Sequence, residues 1–233
     1  MLRKIDSNSM GSSNLGWLRS KFHFSFAEYY NPDNMNFGVL RVINDDIVQS
    51  NTGFEVHPHR NMEIISYIVN GDLTHGDSMG NKNTISRGHV QYMSAGTGVY
   101  HSEHNLGKDP LRFLQIWILP DKQDYKPNYG DYKFHLNDRL NKWLHIASDK
   151  NGSVPIKINQ DVNIYSLELE KGRDIDFKVN KGRQAYLVQI EGHSLINNIE
   201  LNERDGMEIV EEDILIKAKE TSHILIIEMN KQD

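Results

Sequence analysis

The chain contains no cysteine among its 233 residues, which excludes disulfides and thiolate metal ligands and suits a reducing compartment. It also lacks any apolar run long enough to cross a bilayer as a helix. The opening Met1-Leu2-Arg3-Lys4-Ile5-Asp6 leads into no apolar stretch of the kind that directs secretion. A basic excess is missing as well: the net charge of −6 speaks against a nucleic-acid-binding surface. The expectation is therefore a cytoplasmic, soluble monomer that engages neither membrane nor nucleic acid.

Hydrophobic residues make up 38% and charged residues 25%, an ordinary balance for a globular protein with material for one large β-domain or two small ones. Helical periodicity is scarce, and short β-like runs with turn punctuation recur along the whole length. Residues 64–69 end at Asn70-Gly71, which predicts a tight hairpin turn. Asp77-Ser78-Met79-Gly80-Asn81 and Arg87-Gly88 read as further turns, and residues 90–93 as a short strand. The almost wholly apolar residues 111–119 predict a strand covered on both faces, ended by Pro120. Residues 121–152 turn polar and read as a connector, with a short helix expected near 138–144. Strands resume at 164–169, 184–190, 194–196, 213–217 and 224–228. Each half thus holds short strands at turn spacing, which favours two small β-barrels or sandwiches.

The stretch with most chemistry is Gly53-Phe54-Glu55-Val56-His57-Pro58-His59-Arg60-Asn61-Met62-Glu63. In a strand, His57 and His59 point to one face, and neutral imidazole is the commonest protein metal ligand. Farther on, Ala95-Gly96-Thr97-Gly98-Val99-Tyr100-His101-Ser102-Glu103 places His101 and Glu103 on one face in the same way. Neighbouring strands presenting these pairs would offer three nitrogens and a carboxylate oxygen to iron(II), copper(II), nickel(II), manganese(II) or zinc(II). Glu63 shares the strand parity of His57 and His59, so it could replace Glu103 as ligand or hold an imidazole from behind. His75, His89 and His104 read as surface or hydrogen-bonded core residues. Trp17, Trp117 and Trp143 read as packing rather than substrate platforms, with Phe54, Ile64, Met93 and Phe113 as candidate pocket walls.

The run H-P-H-R-x-x-E, then D-S-M-G-N, then M-S-A-G-T-G-V-x-H-S-E closely resembles the pirins and the bacterial pirin-like quercetin 2,3-dioxygenases. Ser94 stands where the related cupin motif usually has proline, and the spacing from Gly96 to His101 is longer, both as in the pirin branch. The resemblance implies an all-β bicupin: a metal-binding cupin over residues 1–134 and a metal-free cupin over 135–233, each a small jelly-roll barrel. It implies one divalent ion, iron(II) first, held by His57, His59, His101 and Glu103, with Glu63 a supporting or structural residue. The four histidines of the second half, His135, His145, His193 and His223, form no H-x-H or H-x-E pair.

The expected activity is cleavage of a flavonol such as quercetin with dioxygen, releasing carbon monoxide. Glu103 would be the base that takes the substrate proton. Two other classes compete: a metal- or redox-sensing interaction protein without turnover, and zinc-dependent hydrolysis. Dioxygen uptake with a flavonol separates the first from the dioxygenase, and the identity of the bound metal tests the second.

Overall fold

Short apolar–polar runs, interrupted by residues at left-handed backbone positions, fold into strands along the whole chain. The computed structural model describes residues 1–232 and contains one 3-10 turn, Leu136–Arg139, with no α-helix among the described residues. The helix expected near 138–144 is thus a single turn. The expected connector also holds two strands, Asn128–Lys133 and Leu144–Asp149. No helix is long and apolar enough to cross a membrane among the described residues.

The chain forms two compact units, one built mainly from residues 11–134 and the other mainly from residue 135 onward, with two segments exchanged between them. Met1–Met10 belong to the C-terminal unit and Ile156–Gln160 to the N-terminal one. The cause for the first exchange is strand pairing: Leu2–Ile5 runs antiparallel to Gly206–Val210, with Leu2 opposite Ile209.

The N-terminal unit is built of two antiparallel sheets. The larger runs in the order Asn128–Lys133, His89–Ser94, Glu63–Asn70, Leu111–Ile118, Leu40–Val48, Leu18–Phe22, Gly11–Asn14. The smaller runs Thr52–His59, Val99–Asn105, Asp72–Asp77, Lys82–Ser86. A core of Leu18, Val48, Ile68, Leu111 and Phe113 from the larger sheet packs on Leu73 and Ile85 from the smaller. Burying each such side chain contributes about 1.5–3 kcal/mol. The unit is therefore a jelly-roll pair of sheets rather than a closed barrel. The apolar run of the sequence is central in the larger sheet, as its composition required.

Asn70-Gly71 is not a hairpin turn. Glu63–Asn70 and Asp72–Asp77 lie in different sheets, so the dipeptide turns a corner between them. Gly71 has φ +82°, and a Cβ there would stand 2.8 Å from Leu111 Cα. Asp77–Asn81 does close a hairpin, with Asp77 Oδ1 accepting from the backbone N–H of Met79 and Asn81 at 2.9 and 3.0 Å.

The C-terminal unit repeats the plan. Leu2–Ile5, Gly206–Val210, Arg183–Glu191, Ser222–Asn230, Val162–Leu169 and Leu144–Asp149 follow one another in one sheet. Asp174–Phe177, Ile214–Ala218, Ser194–Ile196 and Ile199–Leu201 form the other. Leu187, Met207, Ile209, Ile224 and Ile226 pack against Phe177, Ile196, Leu201 and Ile216 between them.

Candidate metal centre and its cavity

Thr52–His59 pairs antiparallel with Val99–Asn105, His57 opposite His101 and His59 opposite Val99. The three imidazoles converge: ring centroids are 4.5 Å apart for His57–His101, 4.8 Å for His59–His101 and 4.9 Å for His57–His59. One nitrogen from each can be chosen so that all three lie within 4.8 Å of one another. Beyond this pair the register slips, because Glu103 faces Phe54, so three steps along one strand match two along the other. Such a bulge re-aims side chains. It turns Glu55 outward, 90% exposed, and lets Phe54 share the cavity wall with His57 and His59. The two strands approach so closely at Gly53 that a Cβ would stand 2.3 Å from Glu103 O.

Local contacts leave a lone pair on each of the three histidines for a cation. His57 Nδ1 donates to Glu55 O at 2.7 Å, which leaves the Nε2 lone pair free. Burial, then repulsion from His101 and His57, lowers the pKa of His59 to about 4. Burial, then His57 and His75, lowers His101 to about 3. Both His101 ring nitrogens are buried and lack hydrogen-bond partners among the described residues. Buried polar atoms rarely stay unpaired, so a cation at this position fits the donor set and gives one of the two nitrogens a partner.

Glu103 stands beside His101 but does not close the group formed with His57 and His59. Its carboxylate instead lies within 4.8 Å of one nitrogen each of His101 and His75. Ser66 Oγ and Gln91 Nε2 donate to Oε1 at 2.9 and 3.1 Å, and Gln115 Nε2 donates to Oε2 at 2.6 Å. These three donors compensate the removal of the carboxylate from water. His101 is thus shared by two overlapping sets of three.

His75 is a buried histidine hydrogen-bonded to Asp77 at 3.1 Å and stacked on Tyr129 at 4.6 Å, and its place beside His101 escaped the sequence reading. The missed signal is a third same-face pair, His75 and Asp77. Ser66, Gln91 and Gln115 were missed too, although each is a buried polar side chain flanked by apolar neighbours in its strand. His89 bonds the Ser86 backbone, and His104 meets the exposed Glu55 at 3.3 Å.

Glu63 belongs elsewhere. The chain turns at Asn61, φ 50°, and Glu63 starts a new strand whose parity is unrelated to that of His57 and His59. Its carboxylate accepts from Tyr92 Oη and Ser94 Oγ, each at 2.6 Å, and from Asn159 N at 3.0 Å. Among the described residues it has no bond to a histidine, so it supports the packing of segment 156–160 and not an imidazole.

A cavity of about 540 Å³ opens in front of His57, His59 and Glu103. Trp17, Phe54 and Trp117 line it, so two tryptophans expected only to pack are cavity walls. Trp117 lies edge-on to His59, with centroids 4.9 Å apart. Of the four residues proposed as walls, Phe54 alone lines it, while Ile64 and Met93 pack with Val99 and Phe113 sits in the main core. Three polar atoms of the wall residues are buried without partners among the described residues: Asn44 Oδ1, Asp46 Oδ1 and Trp117 Nε1. Burial pushes the Asp46 carboxyl up to about 7.

Comparison with known proteins places this site in a family. The Pirin family matches residues 5–118, and the quercetinase C-terminal cupin domain matches residues 145–229. Over 231 residues, 98% of this chain and 97% of the relative, the sequence is 38% identical to quercetin 2,3-dioxygenase of Escherichia coli K12. It is 40% identical over 232 residues to a pirin-like protein of Caulobacter vibrioides, covering 98% of this chain and 99% of that one. The structure of the bacterial pirin YhhW from Escherichia coli, in complex with nickel(II), superposes with a TM-score of 0.92 at 35% identity, covering 100% of both chains. Likeness over the full length, in both units, makes this chain a member of the pirin family of bicupins.

Proposed function

We propose that the N-terminal unit holds one divalent transition-metal ion, iron(II), through His57, His59, His101 and Glu103, and that the protein is a dioxygenase. Its substrate would be a flavonol such as quercetin, cleaved with dioxygen and releasing carbon monoxide. The observation that carries this reading is the convergence of three imidazoles, of which His57 and His59 face an aromatic-lined cavity together with the buried Glu103 carboxylate. The names of the relatives support it. The donor set also suits nickel(II), the ion in the Escherichia coli pirin structure.

When bound, the ion supplies Lewis acidity that makes a chelating hydroxyl easier to deprotonate, and iron(II) adds redox capacity toward dioxygen. The remaining tasks fall to the chain's own residues. Glu103 accepts the hydroxyl proton on a carboxylate oxygen, a contribution of typically about 10²–10⁴-fold for a positioned base. Ser66, Gln91 and Gln115 fix where that oxygen points. Phe54, Trp17 and Trp117 offer flat apolar walls that exclude water and hold an aromatic ring system.

The test loads full-length protein with iron(II) and follows dioxygen consumption and carbon monoxide release with quercetin. Stoichiometric uptake and release, abolished by a chelator, is the expected result. No flavonol-dependent uptake by the iron, nickel or copper forms sinks the reading.

A further inference from the structure

We propose that Ser20, Asn44 and Asp46 form a recognition corner in the cavity wall for the hydroxyl groups of a polyhydroxylated aromatic substrate. This rests on the dioxygenase reading and narrows its substrate class.

Leu40–Val48 lies in the interior of the larger sheet, between Leu111–Ile118 and Leu18–Phe22. Asn44 and Asp46 are two apart and share a face. Asn44 stands opposite Gln115 and Phe22, and Asp46 opposite Phe113 and Ser20. Asp45 between them points the other way, bonded through both oxygens to Arg112 at 3.0 and 2.7 Å. A satisfied ion pair thus separates two residues that line the cavity.

Neither of the two is satisfied. Each is 3% exposed, and neither Oδ1 has a hydrogen-bond partner among the described residues. Ser20 supplies one hydrogen bond to the Asp46 carboxyl. A buried unpaired acceptor is destabilising, and Val42 and Val48, which share this face, show that apolar residues fit there. What the corner lacks is donors. Hydroxyl groups bring donors without charge, whereas an ammonium would have to leave water for a wall of Trp17, Phe22 and Phe26. The carboxyl suits hydroxyls in a second way. Burial chiefly, with Asp45 and Glu103 adding repulsion, holds its pKa at about 7, so near neutrality it can accept or donate.

The corner also lies close to the chemistry. Gln115, opposite Asn44 on the next strand, donates to Glu103. A ligand with one polar group at Glu103 therefore presents its neighbouring ring edge to Asn44 and Asp46.

The test measures binding without turnover. Full-length iron(II) protein is titrated anaerobically by calorimetry with quercetin and with 3-hydroxyflavone, which keeps the chelating group but lacks the other hydroxyls. The wild type should bind quercetin at least about tenfold tighter, the size two neutral hydrogen bonds provide. Asn44→Leu and Asp46→Leu should each cut that margin to about twofold, leave 3-hydroxyflavone binding unchanged, and raise the thermal midpoint of the ligand-free protein. Asp46→Asn, close in shape and still a hydrogen-bonding group, should keep most of the margin and covers a leucine variant that does not fold. Equal affinities in the wild type, or an intact margin in every variant that folds, overturns the corner and leaves the dioxygenase reading standing. If neither compound binds the wild type, the dioxygenase reading falls and the corner with it.

Discussion

Gln115 Nε2 lies 2.6 Å from Glu103 Oε2, joining the middle strand of the larger sheet to the edge of the metal site. The only strongly polar side chain facing the cavity from Leu111–Ile118 is thus spent on aiming one carboxylate. Replacing Gln115 by leucine should lower flavonol turnover about 10–100-fold while leaving metal content unchanged. Glu103→Gln should lose more, about 10²–10⁴-fold. The positioning role of Gln115 predicts a changed pH–rate profile as well as a lower kcat. Wild-type kcat in Gln115→Leu removes it from the mechanism.

Glu63 gives the opposite prediction. Its loss leaves the hydroxyls of Tyr92 and Ser94 and the Asn159 amide without their acceptor. Glu63→Leu should lower unfolding stability by about 3 kcal/mol, the scale of one to three buried groups losing partners. Metal stoichiometry should stay at one per chain. Denaturant titration together with elemental analysis checks both, and metal loss without destabilisation would restore Glu63 to the site.

The metal-free protein should become more stable as pH rises from about 4 to 6.5. Across this range His59 and His101, held near 4 and 3 in the folded chain, stay neutral while unfolded histidines near 6.5 bind protons. Asp46 opposes them, keeping its proton up to about 7 when folded and losing it near 3.8 when unfolded. Two protons on the unfolded chain against one on the folded chain leave a net of one, so stability climbs with pH. Asp46→Asn removes the opposing group and should steepen the climb. Thermal midpoints of the metal-free proteins at three pH values decide, and a midpoint falling with pH contradicts the assignment.

Gly53→Ala should weaken metal binding about tenfold or more without removing any ligand. The added Cβ meets Glu103 O and forces apart the strands that carry His57 and His101. Calorimetric titration with nickel(II) reads this directly, and unchanged affinity would mean that the strands accommodate the methyl group.

The pairing of His57 with His59 and of His101 with Glu103 was legible because period-two alternation is a local property of a strand. The parity of Glu63 with the histidines was misread, because parity does not survive a turn and Asn61 ends one strand before Glu63 begins the next, whereas its structural alternative stood open. The bulge opposite Glu103 has no local signature: Phe54 was named as a candidate wall without a strand facing to support it, and the slipped register is what brings it in beside His57. Asn44-Asp45-Asp46 was visible as three polar residues in a strand of apolar ends, but which of them faced a cavity depended on Arg112, distant in sequence. The corner at Gly71 misled for a similar reason: a left-handed glycine serves a crossing between sheets as well as a hairpin.

The pairing of Leu2 with Ile209 sets a timetable for synthesis. The strand Leu2–Ile5 must wait for a partner made about two hundred residues later, about 10–40 s at 5–20 residues per second. During that interval Leu2 and Ile5 have no sheet to join, and Arg3 and Lys4 keep the waiting segment charged. Completion of the C-terminal unit is therefore a late event, and a product lacking either partner would carry an open sheet edge at Gly206–Val210 or an orphaned strand at Leu2–Ile5.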